Sequence, residues 1–174
     1  MAQVRSHGSE PEAKPPGPKA GVRVSIRAVR PDDAERIADM VERSAPIDVL
    51  FRFGTPFRRL PPDLARRLAG IDLSRDMAFV AEAEGQILGV ARMARDPDET
   101  SAEIAVMVRS DAQEHGLGRL LMDRLAEHAL THGVRSLWGL VRSDNALVLA
   151  LAQEAGFTQV SAGLDGVRIE RNLA

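Results

Sequence analysis

Two glycines one residue apart, in Gln113-Glu114-His115-Gly116-Leu117-Gly118-Arg119, give this chain a way to hold phosphate. Val106-Met107-Val108 before them reads as the end of a strand, and a helical pattern follows them. The loop therefore delivers the chain to a helix N-terminus. There the first backbone N–H groups lack intrahelical partners and carry the positive end of the helix dipole, so anions bind readily. Glycine lets such a backbone come close to its ligand and take positive φ. The spacing Gln-x-x-Gly-x-Gly is neither the dinucleotide fingerprint nor a P-loop, whose lysine is missing. Two glycines alone would be read as a turn; their place between a strand and a strongly amphipathic helix favours an anion site.

A second chemical candidate is Glu103, inside the strand expected over Thr100–Val108. Alternation puts it on one face with Ala105 and Met107. A lysine amine, with a pKa of about 10.4, must lose a proton before it can attack a carbonyl, and a carboxylate can take that proton directly or through water. By parity alone, however, Glu103 reads as a surface glutamate. Asn145 reads as a helix cap and Gly156 as a helix stop. His128 and His132 stand four residues apart, a spacing able to bind metal. No carboxylate motif accompanies them, so they read as decoration near a helix C-terminus, and no metal is expected. Phe51, Phe53 and Phe57 among Arg52, Arg58 and Arg59 could stack on nucleic acid. A net charge of −2 argues instead for packing or a substrate-side lid. The chain has no cysteine, which excludes disulfides and thiolate nucleophiles. No apolar run reaches membrane-spanning length and no signal peptide is visible, so neither membrane nor nucleic acid is an expected partner and a cytoplasmic location is the default.

The elements that must position these residues follow from pattern. Residues 1–20, rich in proline and charge, read as a disordered tail, and residues 21–174 as one domain. A strand is expected over Val22–Val29, then a helix opening at Pro31 with Ile37, Met40 and Val41 on its apolar stripe, ending before Pro46. Ile47–Leu60 reads as irregular, followed by a short helix from Pro61 and Pro62 through Leu68. Met77–Ala83 and Gln86–Ala94 read as a hairpin across Glu84-Gly85. Gly116–His132 is an amphipathic helix with Leu117, Leu120, Leu121 and Leu125 on one face and Arg119, Asp123 and Glu127 on the other. A strand over Ser136–Val141, a helix over Asn145–Ala155 and two final strands complete the order.

The glycine loop, with Asn145…Ala155-Gly156-Phe157 after it, resembles the acyl-CoA-binding motifs of the GNAT superfamily, from about Val24 to the C-terminus. The resemblance implies an α/β fold: a central, mixed, mostly antiparallel sheet of about seven strands flanked by about four helices. It implies that acetyl-CoA is the acyl donor. The amides of Gln113, Glu114, His115, Gly116, Leu117, Gly118 and Arg119 would take its pyrophosphate. The backbone of Val106 and Val108 would pair with its pantetheine arm, and Asn145 would lie near it. Leu50–Pro56, Gly70–Ala81 and Ala102–Val106 further resemble the acetyltransferase domain of bacterial Pat-type protein lysine acetyltransferases. That implies Glu103 as the general base and, as partner, a protein bearing an acceptor lysine, an AMP-forming acyl-CoA synthetase such as acetyl-CoA synthetase leading. Many Pat-type proteins carry a fused synthetase-like or cyclic-nucleotide-binding region; 174 residues leave room for neither. Many GNAT enzymes protonate the leaving thiolate with a tyrosine, and this chain has none. Water can serve, and without cysteine direct transfer in a ternary complex is expected. A small-amine or protein N-terminal acetyltransferase is the alternative, and a non-catalytic acyl-CoA sensor a third.

Overall fold

The structure is a computed structural model that describes residues 22–173 except Glu114 and Asp165. The stretch read as a tail, residues 1–20, lies outside the described residues.

The chain runs β1 (Ser25–Ala28), a short 3₁₀ turn, α1 (Ala34–Glu42), α2 (Pro46–Phe53), α3 (Pro62–Ala69), β2 (Met77–Ala83), β3 (Gln86–Arg95) and β4 (Ser101–Val108). A second 3₁₀ turn leads to α4 (Leu117–Thr131), β5 (Ser136–Val141), α5 (Ala146–Glu154), β6 (Thr158–Gly163) and β7 (Gly166–Asn172). The strands form one seven-stranded sheet in the order β1-β2-β3-β4-β5-β7-β6. Every pairing is antiparallel except β4 with β5.

The β2–β3 turn is tight because Glu84 (φ 51°) and Gly85 (φ 75°) both take the left-handed region, which matches the twist of a two-residue hairpin. Strand β2 is buried on both faces. Phe79 and Ala81 join Leu121 and Leu125 of α4 on one side; Ala78 and Val80 join Ile37 and Val41 of α1 on the other. The apolar stripe of α1 is the expected one. On α4, Leu117, Leu121 and Leu125 are buried but Leu120 is exposed. Its place on the face is taken by Gly118, Met122, Ala126 and Ala129, which fall at the helical repeat from Leu121 and Leu125.

The described residues hold five α-helices, in keeping with the expected fold; the one that the pattern does not give is Pro46–Phe53. Pro46 does not end α1; it opens α2, whose first position suits proline. Gly54, at φ 70°, stops it, and its N–H donates to Leu50 O at 2.8 Å.

A buried ion network fixes α1 against β1 and β2. Asp33 is fully buried. It accepts from Arg27 Nη1 and Nη2 at 2.8 and 2.9 Å, from Arg36, and from the Arg30 N–H at 2.8 Å. Arg27 and Arg36 also reach Glu82 at 2.7 and 3.2 Å. Burial pushes the Asp33 carboxyl up, but the hydrogen bonds from Arg27 and Arg30 and the two arginine charges bring it below the ordinary aspartate value. Replacing Asp33 with asparagine leaves the part-buried guanidinium groups of Arg27 and Arg36 with Glu82 as their remaining carboxylate, at a cost of up to about 3 kcal/mol. Because the folded-state pKa is depressed, the Asp33 contribution is complete above about pH 3.9 and is lost as pH falls through the lower folded value. Urea unfolding across pH should therefore show a weaker Asp33→Asn protein with a flatter acid limb; an unchanged limb contradicts this account.

Candidate active site

Strands β4 and β5 pair only at Ser101–Glu103 with Ser136–Trp138. Both strands run on, β4 to Val108 and β5 to Val141, without further pairing. Gly139 marks the point of divergence. A Cβ there would lie 3.2 Å from Ile104 O, so any other residue would press the strands apart by a few tenths of an ångström. On its other edge β4 stays paired with β3 along its full length. The Arg109 N–H donates to Leu88 O at 2.8 Å, which sets the phase. Odd positions of β4 bond to β3, and Val106 and Val108 turn their N–H and C=O groups toward the gap.

The gap is a cleft of about 580 Å³. One wall is β4 from Glu103 to Val108; the other comprises Gly139–Arg142 and the Leu147, Val148 and Leu151 side of α5. Gly116, Leu117, Gly118 and Arg119 close the end beside the loop, while Phe51, Arg52 and Glu103 line it as well. The sequence-derived candidates Glu103, Val106, Val108, Gln113, Gly116, Leu117, Gly118, Arg119 and Asn145 all line this one cleft. His115 is exposed beside them, its Nδ1 2.7 Å from Gln113 O. Glu114 lies outside the described residues.

The two loop glycines serve different needs. Gly116 caps α4 at φ 75°, with open space around a Cβ, so its demand is conformational. Gly118 is buried, and a Cβ there would fall 2.7 Å from Leu151 Cδ2. It lets α4 press against α5. Among the described residues no side chain caps α4, so the N–H groups of its first turn have no partner there from a cap. Asn145 is a buried cap: its Oδ1 accepts from the Val148 N–H at 3.2 Å.

The loop is held from α2. Asp48 accepts from Gln113 Nε2 at 3.0 Å and from Ser110 Oγ, which itself accepts the Ala45 N–H at 2.7 Å. Gln113 Nε2 also donates to Val108 O at 3.2 Å. Sequence reasoning misses Asp48 because Ile47–Leu60 reads as irregular, and without Asp48 nothing marks Ser110; the Pro46 and Gly54 boundaries are the available signal. The aromatic and basic segment also divides. Phe53 and Phe57 pack edge to face at 6.1 Å against the α1–α3 core, and Arg59 pairs with Glu35, Asp39 and Glu42. Phe51 and Arg52 alone of this segment face the cleft.

Glu103 is exposed within the cleft, opposite Trp138 in register and at the end of the parallel ladder. Arg52, half-buried on α2, lies within electrostatic reach of it. Burial and then the Arg92 charge hold the Arg52 guanidinium below the usual arginine range, and the Glu103 charge acts in the opposite direction. His128 and His132 lie elsewhere, stacked at 3.9 Å. Among the described residues no group of three or more metal-ligating side chains is placed to hold a metal ion. Among them, too, no helix is long and apolar enough to cross a membrane.

The family model of the acetyltransferase (GNAT) family matches residues 45–157, which span α2, the sheet from β2 to β5 and all of the cleft lining except Ile169. The chain belongs to the GNAT family. It is an N-acetyltransferase, moving an acetyl group from acetyl-CoA to an amine. Acetyltransferase PA5475 of Pseudomonas aeruginosa is 30% identical over 158 residues, covering 88% of this chain and 85% of that protein. The crystal structure of the GNAT domain of S. lividans PAT superimposes with a TM-score of 0.79 at 26% identity, over 84% of this chain and 89% of that one. The [Ribosomal protein bS18]-alanine N-acetyltransferase of Salmonella typhimurium is 39% identical over 56 residues, 32% of this chain and 38% of that protein.

The division of labour between the glycines is testable in this GNAT chain. Gly118→Ala crowds the terminal Cδ2 of Leu151, which must shift, and alanine's helix propensity offsets part of the strain, so the net cost should be about 1 kcal/mol or less. A double-mutant cycle with Leu151→Ala should show coupling of about 0.5–1 kcal/mol. Gly116→Ala forces alanine into left-handed backbone, about 1–2 kcal/mol, and should couple to Leu151 near zero. Thermal unfolding of the three single and two double variants measures both; equal coupling would refute the assignment.

Proposed function

We propose that this enzyme acetylates a lysine side chain on another protein, with Glu103 as the base that frees the amine. The observation that carries the reading is the position of Glu103: a carboxylate exposed in the cleft, on the strand whose next even positions, Val106 and Val108, are unpaired with β5, with only Val108 O taken up by Gln113. Acetyl-CoA would lie in the gap between β4 and β5. Its pyrophosphate would meet the amides from Gln113 to Arg119 at the start of α4, and its pantetheine arm would pair with Val106 and Val108 as an added strand. At 3.3 Å per residue the thioester end would then come near Glu103. An attacking amine would give its proton to Glu103, directly or through one water, as it adds to the carbonyl. The chain holds no tyrosine and no cysteine. Of the α5 residues that line the cleft, Leu147, Val148, Ala150 and Leu151 are apolar, and Glu154 sits at the Arg119 end. The thiolate would therefore take its proton from water, with no acyl-cysteine intermediate.

A protein acceptor is supported by similarity to the GNAT domain of S. lividans PAT and, over a shorter stretch, to an enzyme named for ribosomal protein bS18. The resemblance to Pat-type domains points to an AMP-forming acyl-CoA synthetase, acetyl-CoA synthetase first. Acetylation there would remove the charge with which a lysine stabilises developing negative charge.

Glu103→Gln should lower kcat by about 10²–10⁴-fold while leaving acetyl-CoA affinity unchanged by calorimetry. The deficit should shrink at high pH, where the acceptor amine is already neutral. Incubation with purified acetyl-CoA synthetase and acetyl-CoA, followed by mass spectrometry, should find one acetylated active-site lysine. Rapid acetylation of spermidine beside an untouched synthetase would overturn the protein-acceptor reading.

A further inference from the structure

We propose that Arg52 selects acceptors that carry a carboxylate beside the reacting amine. The inference rests on the amine docking at Glu103, as proposed above.

The arginines around this end of the cleft are occupied, with one exception. Arg92 pairs with Asp76 at 3.0 Å, Arg142 with Asp144 at 2.8 Å, and Arg168 with Glu170 at 2.7 Å. Arg52 makes no ion pair and no side-chain hydrogen bond among the described residues. Its ring contact is with its own neighbour, Phe53, 4.9 Å from the guanidinium carbon. The side chain is half-buried, none of its nitrogens is among the buried atoms that lack a partner, so each keeps some contact with solvent, and the residue lines the cleft. A guanidinium that has lost much of its water and gained no protein acceptor favours a ligand that supplies one. Its planar fork matches a carboxylate in two parallel hydrogen bonds. Glu103 and Arg52 thus set opposite charges at one end of one cleft. An acceptor with an ammonium and a nearby carboxylate satisfies both. A polyamine satisfies Glu103 and meets repulsion at Arg52.

The carboxylate can belong to an acidic residue beside the acceptor lysine or to a free amino acid. Steady-state kinetics with two probe pairs separates these. One pair is a capped lysine peptide with glutamate or glutamine as the neighbour; the other is lysine and lysine amide. Wild type should prefer the acidic member of at least one pair by about 10–100-fold in kcat/KM, the range of a charge-assisted hydrogen bond. The preferred pair identifies the source. Arg52→Gln should abolish the preference. Arg52→Glu should reverse it and raise turnover of spermidine. Acetyl-CoA affinity, read by calorimetry, should stay constant and confirms that the variants fold. Equal use of both members by wild type overturns the inference while leaving lysine acetylation intact. So does an Arg52→Gln protein whose kcat–pH profile shifts equally for acidic and neutral probes, since Arg52 would then serve Glu103. Turnover of spermidine by wild type, with no lysine probe acetylated, would instead sink the protein-acceptor reading itself.

Discussion

Where β4 and β5 stop pairing decides most of what this molecule can do. The two strands share three register positions and then part at Ile104 and Gly139. Had the ladder continued, Val106 and Val108 would have spent their backbone groups on β5. Because it stops, a seven-stranded sheet contains an internal edge that is not on its perimeter. An edge of this kind is normally a liability, since unpaired N–H and C=O groups invite another strand. Here helices α4 and α5 enclose it, so what can enter is a thin chain with amide groups of its own. The pantetheine arm of acetyl-CoA has that form. The closed end is pinned by the Arg135 N–H on Thr100 O at 2.7 Å and the Leu173 N–H on Arg135 O at 2.8 Å, so the divergence begins from a fixed point.

Helix α2 ties the two halves of the cleft together. Its first turn presents Asp48 to Ser110 and Gln113, which holds the loop before α4. Its last turn presents Phe51 and Arg52 to the end where Glu103 stands. Phe51 also lies 5.7 Å beneath the Arg142 guanidinium, on the far wall. One short helix therefore touches the loop proposed for the pyrophosphate, the region proposed for the acceptor, and the loop leading into α5. The buried Asp33 network lies behind it and fixes α1 to the sheet.

Much of this was legible in the sequence because it is local. The β2–β3 hairpin, the strand holding Glu103, β5, and helices α4 and α5 follow from periodicity, turn residues and caps. Their ends differ from the expected ones by only a residue or so. Asn145 and Gly156 act as cap and stop as their types suggest. The failures have physical causes. Pro46 was read as a boundary when its more informative property is its fitness for a first helical turn. Leu120 was placed on the apolar face of α4 because it is a leucine, though its angle on the helix belongs to solvent. The close approach at Gly139, the packing of Gly118 on Leu151 and the Asp48–Ser110–Gln113 link join residues far apart in the chain. No period or spacing records such contacts. The candidate residues other than His115 and Glu114 nonetheless line one cleft, because they lie at strand ends and helix starts, where local sequence speaks most clearly.

Hydrogen exchange on the amides, with and without acetyl-CoA, tests the proposal that the parted strands receive the cofactor as an added strand. The Val106 and Val108 N–H groups and those of Leu117 to Arg119 should gain protection on binding. Ala105 and Met107, already bonded to β3, should change little. Protection spread evenly over odd and even positions of β4, or confined to β6 and β7, would contradict the account.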